Sequence, residues 1–418
     1  MKNKQQYIVL PLILGMGLTL ALIGLLNSNT FNAQASPGIR YVAPDGNDGT
    51  QCETIANRCR TVQHAVDAAS PFDEIRVAMG TYKGTAGTMI HIEKTVILSG
   101  GWNSRFSARS PGGYPTILDA QRNGRVIFIS GYISPTIDGF IITGGNASIE
   151  TFAQQGGGIF SSSASPTIQN NYIKGNTAAS GGGLYITLGA PVVRKNIISD
   201  NSADYEGGGF ELYYSKATIE SNLIAGNTAI RGGGGLYIDR SAPFTLTNNI
   251  IAQNQADGPG GGGIKVWGWS AGPASGKLVH NTIASNDLGS SAEGVFALGT
   301  VTLTLTNNLI DGHTYGILAS NEAVVHADHT LFYNNSSGDI GGAGSTSNTS
   351  AITGKDPLFV NPATVDYHLQ VESPARDAGA SIPWLAADID GEPRPSGAGY
   401  DIGADEVWRK LLLPLILR

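Results

Sequence analysis

Between residues 156 and 340 the apolar residues come in short bursts, each bounded by Gly, Asn, Ser or Thr: Pro166-Thr167-Ile168, then Leu184-Tyr185-Ile186, and so on. Bursts this short suit strands with one buried side, joined by tight turns. A motif recurs between them. It reads Asn171-Tyr172-Ile173-Lys174-Gly175-Asn176, then Asn196-Ile197-Ile198-Ser199-Asp200-Asn201, and returns with its first Asn at 222, 249, 281 and 308. The steps are 25, 26, 27, 32 and 27 residues, a period that means stacked repeats. A Gly run precedes the next strand each time, at 156–158, 181–183, 207–209, 232–235 and 260–263. One repeat therefore holds about three short strands. Stacked at ~4.8 Å, seven to eight coils make a rod section of roughly 35–40 Å.

Before the regular repeats the pattern changes. Thr61 can cap a short helix with Val62, Ala65, Val66 and Ala69 on one face, ended by Pro71. Glu74-Ile75-Arg76-Val77-Ala78 then alternates as a strand, followed by Gly80-Thr81-Tyr82. Residues 61–82 resemble the N-terminal cap of right-handed parallel β-helix proteins of the pectate-lyase-like superfamily, and the coils that follow resemble their repeats. The fold this implies is all-β: a right-handed parallel β-helix solenoid with a short N-terminal capping helix. The resemblance puts Asn at the turns, where it tolerates a left-handed backbone and can bond to the Asn one coil above.

The expected organisation is 1–35 signal peptide, 36–105 N-terminal cap and first coils, 106–340 β-helix coils, 341–407 irregular C-terminal closure and 408–418 apolar tail. Lys2 and Lys4, the apolar run Ile8 to Leu26 and Ala33-Gln34-Ala35 compose an export signal. Left uncut, the same run is long enough to anchor the chain in a membrane. Residues 341–349 read as a Gly/Ser/Thr/Asn linker. The segments Asp356-Pro357-Leu358-Phe359, Asp366-Tyr367-His368-Leu369, Ser373-Pro374-Ala375-Arg376-Asp377, Asp388-Ile389-Asp390-Gly391 and Tyr400-Asp401-Ile402-Gly403 occur in order. Together they resemble the C-terminal segment of exported bacterial choice-of-anchor Q proteins, a family defined by surface sorting. The resemblance implies a secreted or cell-surface protein.

Composition narrows the chemistry. Gly is 57 of 418 residues, charged residues are 14 %, and the formal net charge is −7. A sparsely charged, mildly acidic chain with no Lys/Arg cluster does not suit nucleic acid. No Lys-Ser/Thr follows any Gly run, so these are turns and not nucleotide loops. Cys52 and Cys59, the two cysteines, are placed to form a local disulfide in an exported chain.

Alternate residues after each Gly run point outward. One outward column is Phe160, Tyr185, Glu211, Tyr237 and Lys265; the next is Thr187, Tyr213, Asp239 and Trp267, with Trp269 just beyond. Ile186, Leu212, Ile238 and Val266 point inward. Flat aromatic faces pack on sugar C–H faces, so Tyr185, Tyr213, Tyr237 and Trp267 are the expected contacts for a polysaccharide or cell-envelope glycan. The competing reading is that aromatic columns merely stack. Glu211 and Asp239 are the weak candidates for a catalytic pair, set roughly 8 Å apart by strand geometry, against two solvated surface acids. Binding without catalysis is the first expectation; a polysaccharide lyase or glycoside hydrolase on the same face is the alternative. A lyase would draw on Asp200, Asp204 and Glu206 for calcium. No cofactor is expected beyond a structural calcium at Asp388-Ile389-Asp390-Gly391 with Asp401, Asp405 and Glu406. His280, His313 and His329 fall in or near the Asn motif and replace turn residues.

Overall fold

The computed structural model describes residues 36–150, 153–258, 260–286 and 292–408. The expected signal peptide and the tail beyond Trp408 lie outside the described residues. Within them, the short apolar bursts become strands of two to seven residues, and successive coils pair in parallel. Three long sheets of twelve, ten and eleven strands form the walls of a right-handed parallel β-helix. Among the described residues there is one α-helix, α1 (Val62–Ala68).

One coil shows the plan. After the Gly run, Leu184–Thr187 lies on the first face, Val192–Arg194 on the second and Ile197–Ser199 on the third. Ser202–Ala203 then joins a four-stranded ladder that leads into the next Gly run. Each face sends one aliphatic column inward. Ile186 pairs with Leu212, Leu212 with Ile238 and Ile238 with Val266, as expected. The third face contributes Ile173, Ile198, Ile224, Ile251, Ile283 and Ile310, all fully buried. Burying each such side chain stabilises the fold by about 1.5–3 kcal/mol.

The Asn motif builds two side-chain ladders. Asn196 Oδ1 accepts both the backbone N–H (3.0 Å) and the Nδ2–H (3.1 Å) of Asn171, and Asn222 does the same for Asn196 at 3.0 Å each. The column continues through Asn249, Asn281 and Asn308. Each Nδ2 also donates back to a strand carbonyl, as Asn222 does to Val193 at 2.9 Å. A second ladder runs through Asn176, Asn201, Asn227, Asn254 and Asn286. His313 takes the next place, its Nε2 accepting the Asn286 N–H at 3.3 Å. All these side chains are buried and hydrogen-bonded, which is the condition for keeping amides in a core. The left-handed backbone falls one residue earlier than expected. Asn170, Lys195, Ser221, Asn248, His280 and Asn307 have φ between 52° and 57°, and the ladder Asn residues do not. The ladder Asn is selected for its amide and the residue before it makes the bend.

At the N-terminal end α1 covers the first coil with Val62, Ala65 and Val66, and Thr61 caps it by accepting the His64 N–H at 3.4 Å. Asp48, from the turn-rich loop, accepts the Thr61 hydroxyl at 2.9 Å and the Arg60 and Thr61 amides at 2.8 and 3.0 Å. The Cys52–Cys59 disulfide closes that loop, and both cysteines are buried.

The C-terminal region differs from the expected closure in two ways. The Gly/Ser/Thr/Asn stretch is not a linker: Gly338–Gly342, Ser345–Thr349 and Ile352–Thr353 add a last strand to each of the three sheets. Polar small residues suffice there because Ser345–Thr349 is exposed throughout and packs little core. The segment from 354 to 407 then packs against earlier coils. It folds back along the outside of the third face as a clamp. Phe359, Tyr367, Leu369, Ala375, Ile402, Ala404 and Val407 pack on Ile250, Ala252, Ala284, Leu309 and Leu331. Asn248 Nδ2 donates to the Ala387 carbonyl at 2.7 Å, Asn307 exchanges two bonds with Ala380, and the Ala404 N–H reaches the Thr282 hydroxyl at 3.0 Å. Most third-face outward residues in these coils are apolar because they have a partner, a signal hidden among ordinary strand residues; Thr282 and Asp311 are polar.

Candidate functional site

The two outward columns of the first face have the expected register. Tyr185 stands beside Glu211, Glu211 beside Tyr237 and Tyr237 beside Lys265; Tyr213 stands beside Asp239 and Asp239 beside Trp267. They do not form one open wall. The first column is covered by the turn that opens each Gly run. Gly181, Gly207 and Gly233 have φ of 61–67°, and a Cβ on each would meet the Cβ of Tyr185, Glu211 or Tyr237 at 2.9–3.0 Å. Glycine is required there for backbone conformation and for close approach together. Glu211 is consequently 5 % exposed, Tyr237 7 % and Lys265 8 %. Tyr237 therefore presents no ring face to solvent, and Glu211 is not a solvated acid.

Burial shapes the electrostatics of this column. Desolvation pushes the Glu211 carboxyl well above the usual carboxylate range, helped by the neighbouring Glu206 and Asp239 charges. Its Oε2 has no hydrogen-bond partner. Lys265 is held below its ordinary value by the same burial, and its Nζ donates to the Arg231 carbonyl at 3.1 Å. Tyr185 and Tyr237 are driven up, chiefly by burial.

The second column opens to solvent around Arg240. Asp239 holds the guanidinium with two bonds of 2.7 Å, a bidentate fork that fixes its plane. Asp239 is thereby an anchor for Arg240 instead of a free partner for Glu211. Four rings surround the guanidinium carbon: Tyr213 at 4.7 Å, Tyr214 and Trp267 at 5.0 Å and Trp269 at 5.9 Å. Each contact of this kind stabilises by about 0.5–2 kcal/mol. A tight turn from Trp269 to Gly272 closes the group, and a Cβ on Gly272 would strike the Tyr214 hydroxyl at 2.9 Å and the Arg240 stem at 3.0 Å. Trp269 is 49 % exposed and Tyr214 39 %. The result is a rigid aromatic platform with two rings facing outward and a neutralised Arg240–Asp239 pair beneath them.

Sequence reasoning reached Trp267, Tyr213 and Trp269 but passed over Tyr214. Tyr214 is a turn residue with φ of 47°, outside the alternation that marks a column. The aromatic stack also extends further upstream than the coil pattern indicated. His91 stacks on Phe128 at 4.7 Å and Phe128 on Phe160 at 5.1 Å, with Arg125 over both phenylalanines. There the repeat spacing is irregular, and no column is evident in the sequence.

The acids considered for calcium are arranged otherwise. Asp200 accepts from Ser199 and Asp204 from Ser148 at 3.2 Å, and with Glu206 they form no common ligand group. In the clamp, Asp388 accepts the Asp390 and Glu392 amides, Asp401 the Asp377 and Val407 amides, and Glu406 pairs with buried Arg394 at 2.8 Å. Those oxygens cap turns. A separate cavity of about 430 Å³ lies beside the N-terminal cap, lined by Thr61, Tyr82, Lys83, Thr88 and Met89, away from the platform.

A family model described as "Right handed beta helix region" matches residues 122–288. This agrees with the coils and defines the class of fold. Comparison with curated protein sequences finds no match. Among solved structures, a pectate lyase, Pel9A, is 12 % identical over 89 % of this chain and 97 % of its own, with a TM-score of 0.44. A rhamnogalacturonan lyase is 12 % identical over 87 % of this chain and 96 % of its own, with a TM-score of 0.46. XylC, in a complex with xylose, is 10 % identical over 88 % and 98 %, with a TM-score of 0.38.

Proposed function

We propose that this is a secreted or cell-surface β-helix protein that binds a polysaccharide of the cell envelope or its surroundings, without cleaving it. The observation that carries the reading is the platform of Tyr213, Tyr214, Trp267 and Trp269 held in one orientation by Arg240. Outward rings of fixed orientation lose little entropy when a sugar ring stacks on them, and the turn around them supplies polar groups for hydroxyls. The disulfide and the resemblance of the C-terminal segment to choice-of-anchor Q proteins support an exported location. The test is a panel of soluble glucans, mannans, xylans, pectins and alginates in affinity electrophoresis. Wild-type protein is expected to be retarded by at least one of them, and Trp269→Ala to lose that retardation by tenfold or more in affinity. Retardation that Trp269→Ala and Trp267→Ala leave unchanged would remove the platform from the reading.

A second reading has one observation in its favour. Glu211 is a buried carboxyl beside the same face, and burial raises its affinity for a proton, the direction a general acid needs. Release of reducing or unsaturated ends from any of those glycans, abolished by Glu211→Gln, would replace the binding reading with an enzymatic one.

A further inference from the structure

The clamp carries a cluster that the platform does not use. His368, in the strand Asp366–Leu369, has its two ring nitrogens engaged on opposite sides. Nδ1 lies 2.6 Å from Asp366 Oδ1, and Nε2 lies 2.6 Å from Asp390 Oδ2. Asp390 comes from the turn that Asp388 caps. A third group, Asp405, is 5 % exposed and has one oxygen occupied by the Leu369 N–H at 2.8 Å. One donor atom each from His368, Asp390 and Asp405 lies within 4.8 Å of the other two. The other such group among the described residues, Cys52, Cys59 and His64, has its sulfurs in the disulfide.

The donor set is specific. One imidazole and two carboxylates suit a divalent first-row metal, and two carboxylates cancel its charge. A metal about 2.0–2.2 Å from each donor holds any two of them no more than about 4.4 Å apart, so these donor atoms, which lie within 4.8 Å of one another, draw together slightly on binding. Behind the histidine, Asp366 Oδ1 accepts a hydrogen bond from Nδ1–H, the outer carboxylate that fixes a ligating imidazole with Nε2 toward the metal. The three ligands come from three separate stretches of the clamp, so one ion would tie them together where Tyr367 and Leu369 pack on the third face.

We propose that His368, Asp390 and Asp405 bind one divalent transition-metal ion, zinc foremost, with Asp366 as the positioning residue behind His368. The ion displaces the proton on His368 Nε2 to solvent and leaves an open side for water. Its role is to fasten the clamp to the rod.

The experiment is zinc titration of chelator-treated full-length protein by calorimetry, with cobalt substitution as the spectroscopic probe. The expected result is one zinc per chain, a rise in melting temperature on binding, and a cobalt visible absorption band of low-coordinate N/O type. His368→Ala is expected to abolish all three. Asp366→Asn, which touches no metal, is expected to weaken binding by 10–100-fold while keeping the stoichiometry. Asp405→Asn also removes the acceptor for Leu369, so the exposed Asp390→Asn serves as the variant whose folding is not in question. Absence of stoichiometric zinc binding, or binding that survives both His368→Ala and Asp390→Asn, would overturn the proposal. Calcium binding in place of zinc would overturn it equally.

Discussion

Two columns run through the middle coils of this rod and do opposite things. The Asn column repeats one residue type at one place in each coil, is buried throughout, and satisfies every donor from the neighbouring coil. The second outward column of the first face changes at each step, from Thr187 to Tyr213, Asp239 and Trp267, and reaches solvent at the platform. Uniformity is what stacking demands, because each coil must offer the same group to the next. A surface that recognises something outside the molecule is freed from that demand. Heterogeneity in a solenoid column is therefore a better pointer to a site than the presence of aromatics as such. The first column also varies, from Phe160 through Tyr185 and Glu211 to Lys265, but it is buried at Glu211, Tyr237 and Lys265, so heterogeneity points to a site only where a column reaches solvent.

The contrast can be broken most severely at Asn222. Asn222→Ala removes the acceptor for the Asn196 N–H and Nδ2–H and the side-chain donor to the Val193 carbonyl, while Asn249 Oδ1 keeps only the residue 222 backbone N–H. At about 1–3 kcal/mol for each buried group left unpaired, a loss of about 4 kcal/mol or more is expected in denaturant unfolding. Glycan binding by the fraction that stays folded should be unchanged.

A smaller effect, tunable by pH, sits where the amide column is interrupted. His313 accepts a hydrogen bond on Nε2, so it is held neutral, and burial depresses its pKa from 6.5 to about 4. A base with a lowered folded pKa leaves stability intact above pH 6.5 and costs stability as pH falls toward 4. The cost is about 3 kcal/mol by the end of that window. His313→Asn restores the amide and should flatten unfolding curves measured between pH 7 and 4.

Glu211 runs in the other direction. Its carboxyl is raised by burial, so its contribution to stability is fullest in acid and is lost as pH rises through the folded value. Glu211→Gln is expected to remove that loss and to be neutral or slightly stabilising near pH 7 in thermal unfolding. A marked destabilisation would mean that the carboxylate has a partner it needs.

The smallest change in stability is expected at Trp269. It is half exposed, so Trp269→Ala should cost about 1 kcal/mol or less while its effect on glycan binding is the largest of the four.

The ladders were legible because they repeat: Asn at 171, 196, 222, 249, 281 and 308 needs no coordinates to suggest a stack. So was α1, from Thr61 and the spacing of Val62, Ala65 and Val66. What escaped were features made by non-repeating contacts. The clamp packs a segment 100 residues or more downstream onto Ile250 and Ala252, as in the bond from Gln253 to Pro362 across 109 residues. No local pattern encodes which face such a segment will cover. The burial of Glu211 and Tyr237 escaped for a related reason. Glycine runs read as turns, but only the backbone path shows that the turn folds over the strand it precedes.

The most direct measurement is a crystal structure of the protein soaked with an oligosaccharide of the glycan it retains best. The expected difference density is a sugar ring stacked on Trp269 and Tyr214, with a hydroxyl directed toward the Arg240–Asp239 pair. Sugar density along the clamp, at the N-terminal cavity or over the Asn turns, with none at the platform, would contradict the assignment of this face.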